Sequence, residues 1–512
     1  MGEYKAKLKH FWAELRRRKT VRSALAYLIL IAAVAGFAND ILDPFDADWI
    51  SRYLIIGLVA CFPVVLVLSW IFDFSLQGIE RTGDADDSDS DQVRSTRRHH
   101  DISADHISIA ILSFTVSSKP ETDEDKSLAV GIASEISALL TPIQDIRVSS
   151  RATIFDWSSS DAGKKKAADQ LNADFVLTGS LYRSGDNIRV SAELSEMNSD
   201  SIIWTKTYDR EIEDLFAVQK SIAESIVGTT LGQVRLAESK LATHTPMHQL
   251  DSWGLMQRAY YFWLYNFTPE NIAKAIEYLQ QAIRLDPEYA APRAGLAMLL
   301  GNLITSRYAP DPDAAKAEAE KMASEAYRLA PNDVEVLEGI GVSWMNLGKG
   351  HESERVLRHA LELAPLNLIC RGYLAMTLGF KAETESATEA KAIVEENFRI
   401  APEHPSAAWW SYFLTVAEQS LQNYEASIES GLKAISGQPH FVHTYYFLAN
   451  AYILLGDRET ANEYLEKAIA INPGYDADFF METIDLVSRG SPGAINLYRG
   501  IKLLQEETKS SG

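Results

Sequence analysis

Two long runs without charge stand near the amino terminus of the chain. Ala24–Ala38 contains only apolar residues, Tyr and Gly, and the 20 residues of Tyr53–Phe72 include no charged side chain. At 1.5 Å per residue a helix of that second length crosses the ~30 Å of hydrocarbon in a bilayer, whereas the first run needs residues from its flanks. A buried helix of a water-soluble domain normally keeps a polar stripe, which Tyr53–Phe72 lacks. The pattern predicts a two-helix transmembrane hairpin over residues 21–82.

The charges around these runs predict their orientation. The whole chain has 49 Lys and Arg against 70 Asp and Glu, a net charge of -21, yet residues 1–22 hold eight basic and two acidic side chains. The connector Asn39–Arg52 is acidic, and Arg94, Arg97 and Arg98 follow the second run. By the positive-inside rule both termini face the cytoplasm, which predicts a membrane protein with two spans.

Residues 1–20 form a basic segment with an apolar stripe. Four apolar residues fall at helical spacing among Lys and Arg: Leu8, Phe11, Trp12 and Leu15. This arrangement predicts an amphipathic helix that lies on anionic lipid headgroups, so residues 1–82 are expected to contact the lipid bilayer. Because the rest of the chain is strongly acidic, it would repel phosphate backbones, and no nucleic-acid partner is expected.

The segment 83–105 is rich in Asp, Ser, Arg and His and almost free of apolar residues. Such a composition cannot bury enough surface to offset the entropy of ordering, which predicts a disordered polar linker. Its end holds residues that could in principle bind a metal: His99, His100, Asp101, Asp105 and His106. A disordered linker does not hold these side chains in a fixed ligand geometry. We therefore interpret them as solvated side chains and expect no metal site.

From Ile107 the hydrophobic pattern switches between two periods. Runs typical of strands fall at Ile107–Phe114, Ile146–Ser149 and Phe175–Tyr182, with helical spacing between them over 128–139 and 164–171. Parallel strands need such helical crossovers, whereas antiparallel strands can be joined by tight turns. This part of the chain is therefore expected to alternate strands with helices.

An antiparallel meander is predicted next. Ser184–Asn187 supplies turn residues, and apolar side chains alternate with polar ones over Ile188–Ser195. A third strand follows at 202–208, and Asp214 is placed to cap a helix. Together these elements predict a mixed α/β domain over residues 106–235.

Several segments of this domain resemble a known family. Ala173–Leu181, Trp204 with Tyr208–Glu211, and Asp214–Gln219 are similar to the TolB-like amino-terminal domain of bacterial membrane-associated tetratricopeptide proteins. The same segments resemble the related FlgO-like modules. The resemblance implies an α/β interaction domain with no established catalytic residues.

The membrane hairpin is similar to the same family. Phe11–Lys19 and Trp70–Asp73 carry this likeness. Ser113 stands where the family commonly has Pro, which weakens the match at that one position.

The carboxy-terminal half of the chain repeats. A proline that would end a helix recurs at intervals of 44, 34, 37, 37 and 34 residues: Pro287, Pro331, Pro365, Pro402, Pro439 and Pro473. A period near 34 residues with two helices per unit is the tetratricopeptide signature. In the unit Asn332–Pro365, small Gly341 would let the paired helices approach closely. We predict about six repeats over 250–475, followed by capping helices and a tail at 476–512.

The expected architecture is α+β with a membrane hairpin: two amino-terminal transmembrane helices, a mixed α/β TolB-like domain and an all-α tetratricopeptide solenoid. A solenoid of this kind presents a concave wall of first helices that suits peptides or partner helices. The family's groove-facing positions fall here on ten residues: Glu335, Glu338, Val342, Met345, Asn346, His443, Tyr446, Asn450, Ile453 and Leu454. Packing between repeats, or a solvated face, explains any one of them equally well.

Two further features bear on this groove. The crowded aromatic residues of 409–413 are expected in the core, with binding favoured if one or two of them are exposed. The groove also lacks a run of Lys or Arg, so capture of an acidic peptide terminus is not favoured.

The sequence contains no phosphate-binding G-x-x-x-x-G-K-[ST] loop, H-E-x-x-H helix, C-x-x-C pair or G-x-S-x-G elbow. We therefore expect a non-enzymatic, membrane-anchored adaptor without cofactors, which binds proteins or peptides through the repeats and the TolB-like domain on the cytoplasmic face. The alternative is a sensory or regulatory component in which the TolB-like domain binds a ligand and the repeats relay it to a signalling enzyme. Some class III nucleotide cyclases carry a similar tail, but the hairpin and linker leave no room for a cyclase domain ahead of the α/β domain.

Overall fold

The computed structural model describes residues 72–75, 78–81, 107–141, 143, 146–150, 161–197, 199, 201–212, 214–264 and 267–511. The chain divides into two units, Met1–Ala104 and Asp105–Gly512. The predicted amphipathic segment 1–20, the linker 83–105 and both predicted spans, except Phe72, lie outside the described residues. Within the described residues, no helix has the length and apolar character needed to cross a membrane.

The first unit contributes one small antiparallel sheet to the described residues. Strand β1 (Phe72–Ser75) pairs with β2 (Gly78–Arg81), and Phe72 lies opposite Arg81. The last eleven residues of the predicted segment 21–82 thus include two short strands, and the first begins at Phe72, the last residue of the second uncharged run.

A mixed sheet organises the start of the second unit. Its strands are β3 (Ile107–Ile111), β4 (Thr115–Val116), β5 (Ile146–Ser150), β6 (Phe175–Ser184), β7 (Asn187–Glu196) and β8 (Ser201–Glu211). They lie in the order β5-β3-β6-β7-β8, with β4 beside β6. Strand β3 is parallel to β5 and β6, whereas β6, β7 and β8 form an antiparallel meander. The structure confirms the predicted mixed α/β fold for this region.

Helices cover both faces of this sheet. The crossovers are α1 (Asp123–Leu140) and α2 (Asp161–Leu171), and α3 (Leu215–His244) follows β8. The alternating apolar residues of β7 are buried with those of α1 and α3, and the alanines of α2 pack on the opposite face. The predicted turn is present: Gly185 takes a φ of +62°, which favours glycine.

Helix α3 begins where the sequence predicts but ends later. The Asp214 carboxylate accepts hydrogen bonds from the backbone N–H groups of Phe216 and Ala217, which caps the helix. The helix continues to His244, beyond the expected domain boundary at 235. Its last turns pack on the first repeat, where the Arg258 guanidinium donates to the carbonyl of Ala242.

Six helix pairs follow over residues 252–471. They are α4 (Ser252–Leu264) with α5 (Pro269–Leu285), α6 (Ala291–Thr305) with α7 (Pro312–Leu329), α8 (Val334–Asn346) with α9 (Gly350–Leu363), α10 (Leu368–Lys381) with α11 (Thr384–Ile400), α12 (Ala407–Ser420) with α13 (Tyr424–Gly437), and α14 (Val442–Leu454) with α15 (Arg458–Ile471). Each predicted proline lies two residues after the end of a second helix, such as Pro365 after α9. Proline cannot continue a helix, so these positions end each unit.

The chain ends in further helical elements. They are α16 (Ala477–Ser488), a 3-10 turn at Pro492–Leu497, and α17 (Arg499–Ser511). These elements occupy the region where capping helices and a tail are predicted.

Close approach of the helices depends on glycine at two positions of α8. A Cβ atom on Gly341 would lie 2.6 Å from Cγ of Leu357 in the paired helix α9. A Cβ atom on Gly339 would lie 2.8 Å from the backbone carbonyl carbon of Ala294 in α6. A leucine side chain can shift, but backbone can do so only if the whole helix moves.

We predict that Gly339→Ala lowers the free energy of unfolding by about 1–3 kcal/mol, because overpacking against α6 outweighs the gain in helix propensity. Gly350→Ala is the matched control: its Cβ would meet no atom within 4 Å. The control substitution should leave the free energy of unfolding unchanged or raise it by up to about 1 kcal/mol. Urea unfolding of both variants checks this; equal midpoints would show that α6 and α8 are not closely packed.

Candidate protein-binding site

The first helices of the pairs surround an apolar lumen. A cavity of about 60 Å³ remains inside it. Its aromatic lining consists of Trp263, Phe267, Tyr373, Phe380, Trp409, Tyr412, Phe413 and Phe441. Three methionines from successive first helices also line it: Met298, Met345 and Met376. Thioether side chains are flexible and polarizable, so this wall can adapt to more than one shape.

The predicted residues at the start of α8 form buried ion pairs. Nη2 of Arg235 in α3 lies 3.9 Å from Oε1 of Glu335, and its Nη1 lies 3.6 Å from Oε2 of Glu338. The Asn367 amide donates to the Glu338 carboxylate. The guanidinium also lies 5.0 Å from the ring centroid of Tyr260, within range of a cation-π contact. Both carboxylates therefore face the α/β module.

The remaining predicted residues of α8 point into the lumen. Val342, Met345 and Asn346 are buried and line the cavity. The Asn346 amide donates a 2.7 Å hydrogen bond to Oδ1 of Asn302 in α6. These three residues therefore line one cavity, and their role in a binding groove stays a prediction.

Two predicted residues of α14 contact the connection that leads to α16. The His443 ring lies with Nε2 3.3 Å from the Ser306 hydroxyl and Nδ1 3.2 Å from the Tyr475 hydroxyl. The Tyr446 hydroxyl donates a 2.6 Å hydrogen bond to the Tyr475 carbonyl. Burial lowers the pKa of His443 to about 3. At neutral pH this histidine is therefore uncharged and held between distant parts of the array.

The last three predicted residues lie near the end of the array. The Asn450 side chain donates a 2.6 Å hydrogen bond to Oε1 of Gln419, and its Oδ1 accepts a 2.7 Å bond from the N–H of Gly500 in α17. Ile453 is buried, and Leu454 is partly exposed. Asn450 and Ile453 lie against α17 at Gly500, and none of the three residues lines the cavity.

All ten predicted residues lie in the described part of the chain, and nine of them are buried. The structure brings Val342, Met345, Asn346 and His443 together around one cavity. It separates this group from the Glu335 and Glu338 pair and from the α17 contacts. Segments of the same chain cover the positions expected to face a partner, and their contact with a partner stays a prediction.

Two contributors to this surface were not expected from the sequence. Arg235 lies at the expected end of the α/β domain, and nothing in its local pattern indicates that it reaches the repeats. Helix α16 does carry a readable signal, since its buried residues Phe480, Thr483, Ile484 and Val487 stand at i, i+3, i+4 and i+7. The pattern predicts an amphipathic helix but not the surface on which it lies.

A second cavity, of about 80 Å³, lies between the α/β module and the array. Apolar side chains such as Ile107, Leu231 and Leu368 line it together with polar Gln257 and His404. The His404 ring stacks 4.6 Å from the ring of Trp410, and its Nδ1 accepts a hydrogen bond from the N–H of Ser406. Burial, and then the nearby Arg235 cation, lower the pKa of His404 to about 3. Across the described residues, no group of three or more His, Cys, Asp and Glu side chains is arranged to hold a metal ion.

Comparison with known families identifies the repeats. A model of the tetratricopeptide repeat family matches residues 270–289 and 442–475. The first stretch lies on α5, and the second covers α14 and α15. The chain carries tetratricopeptide repeats. Such repeats form extended concave surfaces for binding other proteins, which supports an interaction scaffold.

One curated relative and several solved structures are similar to parts of the chain. "Putative adenylate cyclase 3" of Rhizobium meliloti (strain 1021) is 26% identical over 193 residues, which is 38% of this chain and 32% of that protein. The match thus spans about a third of the relative's length. The crystal structure of MamA is 20% identical, covers 31% of this chain and 91% of its own, and has a TM-score of 0.25. The human IFIT1 dimer with m7Gppp-AAAA is 15% identical, the match covers 57% of this chain and 70% of the IFIT1 chain, and the TM-score is 0.38.

We predict that Arg235→Met destabilises the chain by about 3–5 kcal/mol, because it removes a cation from beside two buried carboxylates. Replacing those carboxylates in the same background, as Glu335→Gln with Glu338→Gln, should recover a large part of the loss. Urea unfolding of the single, double and triple variants measures this coupling. If Arg235→Met has the wild-type midpoint, the contact between α3 and α8 does not form.

A pH dependence of stability follows from His443. Its pKa in the folded chain lies below the unfolded value of about 6.5, so the unfolded state takes up the proton first and stability falls as pH drops below about 6.5. Between pH 7.5 and 5 this one group should cost about 2 kcal/mol. In urea unfolding, His443→Gln should lose about 2 kcal/mol less of its free energy of unfolding between pH 7.5 and 5 than the wild type does. Substitution of the exposed His440 by Gln should leave the wild-type pH dependence unchanged. An unchanged loss in His443→Gln would contradict the burial of this ring.

Proposed function

We propose that this chain is a non-enzymatic adaptor that binds other proteins through its tetratricopeptide array and is held at the cytoplasmic face of a bacterial inner membrane. The observation that carries the proposal is the stack of six helix pairs over residues 252–471, two of whose stretches match the tetratricopeptide family. Solenoids of this type recognise peptides and helices along their first helices. The sequence adds no catalytic motif to this arrangement.

The membrane anchor in this proposal rests on the sequence. The uncharged runs Ala24–Ala38 and Tyr53–Phe72, with basic residues ahead of the first, support two spans with both termini in the cytoplasm. Residues 1–20 would lie on the lipid headgroups. The anchor would keep the array beside the membrane, where it could gather soluble partners on membrane-bound ones.

The α/β module serves as a second docking domain in this proposal. The segments Ala173–Leu181 and Asp214–Gln219 resemble the TolB-like domain, which supports an interaction role. In the structure the module is joined to the array by α3 and by the ion pairs of Arg235. Partners of the two modules would therefore be held at a fixed distance from each other.

A regulatory role beside a signalling enzyme is the second candidate. The similarity to "Putative adenylate cyclase 3" over 193 residues favours it. In this case the α/β module would bind a small ligand and the array would pass the change to a cyclase-like partner. Ligand binding to the module should raise the thermal midpoint of the full chain in a concentration-dependent way, which an adaptor without a ligand would not show.

We predict that the full chain sediments with membranes and that deletion of 1–82, which removes the amphipathic segment together with both spans, releases it into the soluble fraction. Alkaline phosphatase fused after Asp46, in the connector, should be active, and green fluorescent protein fused after the last residue should fluoresce. The opposite reporter pattern, or a full chain that stays in the supernatant, would contradict the membrane part of the proposal.

We also predict that a biotin ligase fused after the last residue labels a set of proteins in an array-dependent way. The matched control is a fusion of the same ligase after residue 105, which keeps the predicted anchor and lacks both folded modules. Proteins enriched only by the full chain are the expected result. Identical labelled sets from the two fusions would contradict the adaptor function.

A further inference from the structure

Helix α16 crosses the concave side of the array rather than stacking only on its end. The Arg489 side chain, next to the end of α16, donates to the carbonyl of Gly348 and lies 3.1 Å from the Glu352 carboxylate, both of the third helix pair. At the start of the helix, Nη1 of Arg307 in the second pair lies 3.1 Å from Oδ2 of Asp476. The helix therefore bridges repeats that precede it by more than 100 residues.

One stripe of α16 faces the lumen. Phe480, Ile484 and Val487 are buried, and Ile484 and Val487 line the cavity together with Met345 and Met376. The Phe480 ring stacks on Tyr446 with 4.9 Å between ring centroids. The stripe therefore lies in the position that a bound helix takes in helix-in-groove recognition.

The opposite side of α16 faces solvent. Asp478, Glu482 and Asp485 are exposed. The helix thus has a single apolar stripe and an acidic outer face. Its ion pairs at Arg307 and Arg489 are partly exposed, and such pairs contribute little to stability. The apolar stripe is what holds the helix in place.

The end of the array has a cover of its own. Helix α17 packs on α14, where Asn450 accepts hydrogen bonds from the N–H groups of Gly500 at 2.7 Å and Ile501 at 3.3 Å. The last pair therefore does not need α16 as a cap. The cavity of about 60 Å³ left beside α16 shows that the helix fills the lumen only in part.

We propose that α16 is an intramolecular ligand of the concave face, and that a partner's amphipathic helix with large apolar side chains at i, i+4 and i+7 and an acidic outer face can take its place. This inference rests on the proposed adaptor function and names the chemistry of its partner. The methionine wall is suited to such exchange, because it can repack around a different apolar stripe.

Competition by a labelled peptide tests the proposal. The probe is a fluorescent peptide of residues 475–490, added to the full chain in detergent. The double variant Ile484→Ala/Val487→Ala weakens the packing of α16 on the array, so α16 leaves the concave face in a larger fraction of the molecules. The peptide should therefore bind this variant at least ten times more tightly than it binds the wild type. Glu482→Ala changes an exposed side chain of the same helix, and this variant should bind the peptide as the wild type does. A peptide with Phe480→Asp and Ile484→Asp should not bind.

The proposal is overturned if the folded double variant, checked by circular dichroism, binds the peptide no better than the wild type. Hydrogen exchange on the unaltered chain gives a second test that needs no substitution. The amides of α16 should exchange at least ten times faster than those of α8 and α10. Equal protection in the three helices would make α16 a fixed part of the core. If the biotin ligase experiment shows array-dependent labelling but the peptide-binding and hydrogen-exchange results both contradict the inference, only the inference about α16 is wrong. The adaptor function is then still supported.

Discussion

Burial of the first helices is the constraint on which the array depends. In α6 and α14 nearly the whole circumference is buried, including twelve residues of α6 and eleven of α14. A helix that is apolar all round must be covered on every side to remain in water. Its paired second helix and the neighbouring repeats cover only part of that surface. The remaining surface still needs a cover, and the same chain provides it: α3 packs on α4, α16 lies along the cavity and α17 packs on α14.

This covering links the two folded modules. Helix α3 starts as the last element of the α/β module and ends against α4, so one 30-residue helix belongs to both. Its Arg235 lies 3.9 Å from the buried carboxylate of Glu335 and 3.6 Å from that of Glu338. Removing one partner from such a buried group is costly, so the contact fixes the position of the module on the array more strongly than an exposed ion pair could.

Local patterns in the sequence were sufficient to predict the helices and strands but not the contacts between elements that lie far apart in the chain. Period-two alternation over Ile188–Ser195 predicted β7, and the spaced prolines predicted the ends of the second helices, because both signals act within a few residues. From the sequence alone, Glu335 and Glu338 look like a solvated or groove-facing pair. Arg235 lies about 100 residues earlier in the chain, and no local pattern shows that it contacts them. The stripe of α16 was readable as an amphipathic helix, but periodicity does not say which surface covers it.

The most direct test of this account is the exposure of the lumen methionines in the full chain. In hydroxyl-radical footprinting, Met345 and Met376 should be oxidised at least ten times more slowly than Met247, because they are 3% and 7% exposed whereas Met247 is 41% exposed. Similar oxidation rates at the three sulfur atoms would show that the concave face is open to water, and would contradict its closure by α16.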